Sequence, residues 1–201
     1  MKTKERELLE KILTSENITE GINTNLGELT AIIPEISNMF GFEHQHPHHH
    51  LDVWKHTLLA LSKAPNNFDI RLSLLLHDIG KPHSYQNDGG IRHFKGHPEK
   101  SATISETILN RLGFNQEYRE LICTAINHHD TALTSQEIIS NPVLSNLIFE
   151  IQKCDAHAHN PKYNKKRLQY LQDTTNLFNQ LSISQEYTQE FGITMSLSEL
   201  I

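Results

Sequence analysis

Apolar residues recur at helical spacing along nearly the whole chain, and no stretch alternates convincingly with a period of two. Leu8, Leu9, Ile12 and Leu13 stand at i, i+1, i+4 and i+5, one face of an amphipathic helix. Leu26 to Met39 carries Leu29, Ile32, Ile33 and Ile36 in the same way, bent or broken at Pro34, which cannot continue the hydrogen-bond ladder. DVWKHTLLAL, Asp52 to Leu61, and DIRLSLLLHDIG, from Asp69, each open on an Asp suited to an N-cap, and the second is stopped by Gly80 and Pro82. The polar turn KAPNNF joins them. Pro98 to Leu112 and Gln116 to His129 pair across Gly113, Val143 to His159 is stopped by Pro161, and a long helix runs from Tyr163 to about Leu181. The predicted fold is all-α, a helical bundle whose largest irregular loop is Asn87 to Gly96. Ile183 to Ile201 is polar and ambiguous, and no internal repeat is found.

Composition narrows the class. A chain of 201 residues, 37% apolar and 21% charged, is long enough for one substantial core. The net charge is -6 with Lys and Arg scattered, which argues against gripping long nucleic acid through a phosphate-neutralising surface. No run of 18 apolar residues occurs, and MKTKERELLEKIL is a charged amphipathic segment without a signal-peptide core, so no membrane partner and a cytoplasmic location are expected. Cys123 and Cys154 lack CxxC spacing and read as buried thiols.

The abnormal feature is the 14 histidines, which lie inside the chain rather than in a terminal tag. His77-Asp78 ends a very apolar helix whose Leu72, Leu75 and Leu76 must face the core. An unpaired carboxylate at that depth is prohibitive, and a cation would supply the partner. An isolated His-Asp pair is more often a satisfied core pair, but this one has company. His56 shares a face with Val53 and Leu59 or Ala60, and Asp155 shares one with Ile148 and Ile151. Three helices thus each aim a metal-competent group inward, and imidazole with carboxylate suits a first-row divalent ion. His97 and His129, with His128 as the alternative to the latter, would hold a second ion if Asp78 bridged the two.

The spacing of His56, His77-Asp78 and Asp155, with HDIGK in full, resembles the HD superfamily of metal-dependent phosphohydrolases. More narrowly, PHHHLDVWKHTLLAL, LLLHDIGKP, FKGHPEKSA and the helix ending NHHD resemble the C-terminal HD domain of bacterial tRNA nucleotidyltransferases, the CCA-adding enzymes. That resemblance runs from about Leu26 to Asn160 and more weakly into EYTQEFGITMSLSEL. Periodicity and resemblance together divide the chain into an N-terminal helix in residues 1–25, an HD domain over 26–182 and a tail over 183–201. The resemblance also implies His56, His77, Asp78 and Asp155 as ligands of a first ion, with His97 and His129 matching the histidines of two-metal members. The family's nucleotidyltransferase head has no counterpart in the sequence, so nucleotide addition to tRNA is not expected.

One or two ions of Mn, Fe, Co, Ni, Zn or Mg are therefore expected, activating water and stabilising charge on phosphoryl oxygens. The implied substrates are small phosphorylated molecules, above all nucleotides carrying a 2',3'-cyclic phosphodiester or a terminal phosphate. Beside Asp78 as the catalytic carboxylate, Lys81 is a candidate for contact with a phosphate oxygen, or else a solvated lysine at a helix end. Arg92, His93 and Lys95 are further phosphate candidates, and Phe94 either stacks on a base or is buried. The run His44, His46, His48, His49 and His50 reads as a polar loop with adventitious metal affinity, and His157 and His159 as surface groups or supports of Asp155. The competing reading is a non-catalytic nucleotide-binding or regulatory module. A homo-oligomer is compatible with the sequence.

Overall fold

The structure, a computed structural model, describes the backbone of residues 3–191 and the side chains of residues 3–181. The helices are α1 (Lys4–Leu13), α2 (Ile18–Thr24), α3 (Leu26–Ile32), α4 (Val53–Leu61), α5 (Phe68–Leu76), α6 (His97–Arg111), α7 (Gln116–Asn127), α8 (Ser135–Ser140), α9 (Pro142–Ala158) and α10 (Lys165–Phe191). Shorter 3-10 turns occupy Pro34–Met39, Lys81–His83 and Pro161–Tyr163. Among the described residues the sole sheet is a hairpin of β1 (Gln86–Asp88) and β2 (Ile91–His93). The all-α expectation holds.

Helix α5 is the axis of the bundle because it is apolar nearly all round: Leu72, Leu74, Leu75 and Leu76 are fully buried. Each such leucine contributes roughly 2 kcal/mol by leaving water. Helices α4, α7 and α9 pack on it, and α9 packs on both α4 and α7. The one charge in the middle of α5, Arg71, is buried and engaged through one end of its guanidinium. It donates to the Leu13 and Ser15 carbonyls, both at 2.8 Å, where α1 has run out of intrahelical donors.

Several local expectations are corrected. The segment before Leu26 forms two helices, and Leu9, Leu13, Ile18 and Ile22 belong to the same apolar core as the later helices. The cap of α5 is Asn67, whose side chain accepts from the Ile70 amide at 3.0 Å, while Asp69 accepts from the Tyr118 hydroxyl at 2.6 Å. The loop Asn87 to Gly96 contains the hairpin: Gly89 and Gly90, with φ of 57° and 88°, supply the two left-handed positions of its turn. Its strands are exposed except at Arg92, which is half-buried and polar, so no apolar alternation announced them. Helix α8, buried only at Ile138, is held by a reciprocal cap between Thr134 and Glu137. The long helix begins at Lys165 and continues past Leu181 through Phe191; the rest of the predicted tail, 192–201, lies outside the described residues. Among the described residues, no helix is long and apolar enough to cross a membrane.

Candidate metal centre

Five helices deliver six polar side chains to one buried place. His56 comes from the middle of α4, His77 and Asp78 from the turn ending α5, and His97 from the first turn of α6. His129 lies just beyond α7, and Asp155 in the last turns of α9. All six are buried. Gly80 lets α6 come this close: a Cβ there would lie 2.5 Å from the Ser101 amide nitrogen and 2.7 Å from the His97 carbonyl oxygen. The Gly80 amide instead donates to Ser101 Oγ at 2.9 Å, fastening the start of α6 beside Asp78.

The four histidines are oriented alike. Nδ1 meets a backbone carbonyl in each: Ala158 for His56 at 3.3 Å, Leu74 for His77 at 2.7 Å, Phe94 for His97 at 2.9 Å and Ile126 for His129 at 2.6 Å. A carbonyl only accepts, so Nδ1 carries the hydrogen, and each ring in its neutral form presents its lone pair at Nε2. The Nε2 atoms converge on two carboxylates. Asp78 Oδ2 lies 3.6 Å from His56 and 3.3 Å from His77, while its Oδ1 lies 3.3 Å from His97 and 3.9 Å from His129. Asp155 Oδ1 lies 2.7 Å from His56 and 3.6 Å from His77. Asp78 thus turns one oxygen toward each pair of histidines.

These residues fit a cation. His77 Nε2 and Asp78 Oδ1 are buried without any hydrogen-bond partner, a costly arrangement for two polar atoms unless something else binds them. Ligands about 2.1 Å from a common ion lie about 3.0–3.4 Å apart, close to most of these separations. Donor atoms of His56, His77 and Asp155, of His77, Asp78 and His129, and of His97, His129 and Asp130 each fall within 4.8 Å of one another. Electrostatics agrees. Burial disfavours charge on His77, yet Asp78 and Asp155 outweigh it and raise its pKa to about 10. Burial likewise opposes ionisation of Asp78, but His77 and Lys81 hold its carboxyl well below the usual range. His129 is pushed down to about 4 by burial, which its carboxylate neighbours only partly offset.

The site opens on a two-lobed cavity. The first lobe, about 380 Å³, is lined by Asp78, His97, His129 and Asp155 and by the expected Lys81, Arg92, His93 and Lys95. Lys81 is buried rather than solvated, with Nζ 2.7 Å from Asp78 Oδ2 and 3.2 Å from His44 Nε2. Arg92 is already engaged: it donates to the Glu43 carbonyl at 2.6 Å and lies over the rings of Phe42 and Tyr85. Phe94 lines the same lobe, half-buried against His44. His128 lines a different surface groove with Glu99 and Glu106, so His129 is the one of the pair that faces Asp78.

The polar-loop reading of residues 44–50 misses one buried ring, His44, and one half-buried ring, His49. His44 donates from Nδ1 to the Leu51 carbonyl at 2.7 Å and stacks on His49, with centroids 3.8 Å apart. His49 in turn packs against His56 and His159. His159 Nε2 is 3.5 Å from Asp155 Oδ1, and His157 is exposed. Both thiols are free: Cys154 is buried and Cys123 half-buried, and burial raises each to about 12. Two site residues escaped the sequence reading. Asp130 Oδ2 lies 3.4 Å from His97 and 3.8 Å from His129, and the His-His-Asp run was its available signal. Arg167 donates to Asp155 Oδ2 at 2.6 Å and to Asp130 Oδ1 at 3.1 Å, with nothing in its lysine-rich surroundings to single it out.

A helical bundle whose core holds inward-facing histidines around a shared aspartate defines a class by itself. The sequence matches the HD domain family over residues 48–173, well over half its length, and the chain belongs to that family. It is 32% identical over 135 residues to a CC-adding tRNA nucleotidyltransferase of Thermus thermophilus, covering 62% of this chain and 30% of that protein. It is 36% identical over 116 residues to an A-adding tRNA nucleotidyltransferase of Deinococcus radiodurans, covering 53% and 26%. A Multifunctional CCA protein of Teredinibacter turnerae is 28% identical over 126 residues, covering 61% and 30%. The matched region therefore spans less than a third of each of these relatives.

Proposed function

We propose that this chain is a metal-dependent phosphohydrolase acting on phosphoester bonds of nucleotides or nucleotide-like molecules. The observation that carries the reading is the orientation of Asp78, one oxygen toward His56 and His77 and the other toward His97 and His129, beside a cavity lined by cations. His56, His77, Asp78 and Asp155 would hold one divalent ion, and His97, His129 and Asp78, with Asp130 near, a second. Bound there, such ions lower the pKa of water and neutralise charge developing on phosphoryl oxygens.

The chain's own groups complete the arrangement. The backbone carbonyls that hold each Nδ1–H keep the imidazoles in one tautomer and one orientation. Lys81, fixed by Asp78 and His44, places a positive charge on the cavity wall, where it meets a phosphate oxygen. Lys95 is exposed at the rim and adds a second, mobile cation. Asp130 faces the cavity within reach of His97, and although partial burial opposes its ionisation, His129 and Arg167 hold its carboxyl down to about 2, so it adds a fixed negative charge at the rim.

The alternative, a regulatory module without turnover, finds no missing ligand among the six to favour it. The relatives named as tRNA nucleotidyltransferases raise a different question, whether the phosphoester is on a small molecule or at an RNA end. With net charge -6 and no basic stripe, the chain has little with which to grip a long polyanion. Metal analysis of untagged protein should accompany assays of a 2',3'-cyclic mononucleotide and of an RNA ending in the same cyclic phosphate. Each is run with Mn, Co, Ni, Mg and Zn at two ionic strengths. Hydrolysis of the mononucleotide with a shallow salt dependence is expected. Cleavage of the RNA alone, with affinity collapsing in salt, would replace the small substrate by an extended RNA; no hydrolysis with any metal would leave the non-catalytic module.

A further inference from the structure

The second lobe of the cavity, about 390 Å³, borders the histidine cluster only at His129 and Asp130 and is otherwise lined by residues outside it. It shares His48, His129, Asp130, His159 and Arg167 with the first, so the two lie side by side. A molecule with its phosphate at the cluster can extend into it, and the volume lies within the range of small-molecule sites. We propose that this lobe is a nucleoside subsite, in which the Tyr163 ring takes the base while the phosphate lies against the cluster. The proposal rests on the phosphohydrolase reading for what occupies the first lobe.

Three features support it. Tyr163 is 54% exposed although it lines the lobe, and its ring lies parallel to that of His48, within 6° and with centroids 5.7 Å apart. An exposed flat aromatic face is the surface on which bases stack, whatever their identity. Next to it, Asn164 is buried, and its Oδ1 has no hydrogen-bond partner. Its Nδ2 is committed to the Ala156 carbonyl at 2.7 Å, so its open valence is an acceptor. An acceptor there calls for an N–H or O–H donor, which an exocyclic amine or a ribose hydroxyl provides. The remaining wall is already fixed: the Tyr170 hydroxyl donates to Gln152 Oε1 at 2.8 Å and accepts from the Leu133 amide at 3.0 Å. A pocket whose polar wall is internally satisfied loses little order when it is filled.

The test is equilibrium binding, read by calorimetry on the full chain with manganese present, using a phosphonate analogue of adenosine monophosphate, whose P–C bond is not hydrolysed, and inorganic phosphate as probes. The nucleotide analogue is expected to bind at least about tenfold tighter than phosphate. Tyr163→Ala is expected to erase about fivefold or more of that advantage, the low end of what one stacked base contributes, while Tyr163→Phe retains it. Equal affinity for the two probes in the unaltered protein overturns the subsite. So does an advantage that survives in Tyr163→Ala, or one lost as fully in Tyr163→Phe. Turnover is not read, so a chain that binds the analogue in this pattern yet hydrolyses nothing would refute the phosphohydrolase reading and leave the subsite standing.

Discussion

Two groups of side chains share Asp78, and they differ in how much water they meet. The inner group, His56, His77 and Asp155, is buried at every member. The outer group, His97, His129 and Asp130, has its two histidines buried but its carboxylate exposed on the cavity wall. The inner group is drawn from α4, α5 and α9, helices packed through the centre of the bundle. The outer group comes from the first turn of α6 and the segment after α7, nearer the rim. Electrostatics separates them further: carboxylates raise His77 to about 10, whereas burial takes His129 down to about 4. An ion in the inner group replaces a proton that the carboxylates otherwise retain, while the outer group presents an imidazole already neutral at pH 7. On the proposed two-ion reading, the inner group would hold an ion firmly and the outer group would exchange with solvent and contact substrate.

The largest effect should come from the residue both groups share. Asp78→Ala is expected to remove both ions and lower kcat/KM about a thousandfold, the several kcal/mol that an ion contributes to a phosphoryl transition state. His56→Ala and His97→Ala should each remove one ion, and His56→Ala the more tightly held. Metal content by mass spectrometry after dialysis against a weak chelator decides it. Equal retention in the two histidine variants would abolish the distinction between the groups.

The proton difference gives the next effect, in metal-free protein. His129, at about 4, and His44, taken down to about 2 by burial and by Lys81, are neutral when folded but protonated in the unfolded chain below about pH 6.5. The unfolded state then binds more protons, so stability falls as pH drops from about 6.5 toward 4. His77 acts with the opposite sign: its folded pKa is raised, so its contribution is full below about 6.5 and is lost as pH rises toward about 10. Urea unfolding at pH 4.5, 6.5 and 9 should therefore place the maximum at the middle value, with a loss on the order of 4 kcal/mol on the acid side, about 2 from each of the two histidines. A metal-free protein at least as stable at pH 4.5 would mean that His129 and His44 are not held neutral.

The inner group was the more legible in the sequence, for a physical reason. His56, His77, Asp78 and Asp155 stand on long apolar helices, where a polar residue on the buried face conflicts with its neighbours and so draws notice. His97 and His129 sit at helix ends, where polar residues are ordinary, and the choice between His128 and His129 depended on the angle at which the chain leaves α7. His44 and His49 lie in a segment without periodicity, so their burial follows from packing against α4 that no local pattern encodes. The helices themselves were readable wherever one face is apolar over three turns. The β1–β2 hairpin and α8 were not, because turn and cap chemistry hold them with little burial.

The smallest effect concerns the connection between the two groups. Arg167, on α10, donates to Asp155 of the inner group at 2.6 Å and to Asp130 of the outer at 3.1 Å. Asp155 has its other oxygen on His56, so Arg167 fixes the plane of that carboxylate. A planar guanidinium can address two carboxylates at once, and a lysine ammonium on the same stem does so poorly. Arg167→Leu is accordingly expected to weaken metal binding about tenfold, as loss of a group that orients a ligand does. Because the guanidinium touches one carboxylate of each group, both ions should be affected, with Arg167→Lys recovering only part of the loss. Titration against a competing chelator, followed at each of the two binding steps, reads this independently of turnover. Loss at one step alone would show that α10 braces a single group and that the two are coupled only through Asp78; unaltered affinity at both would confine Arg167 to the cavity wall it also lines.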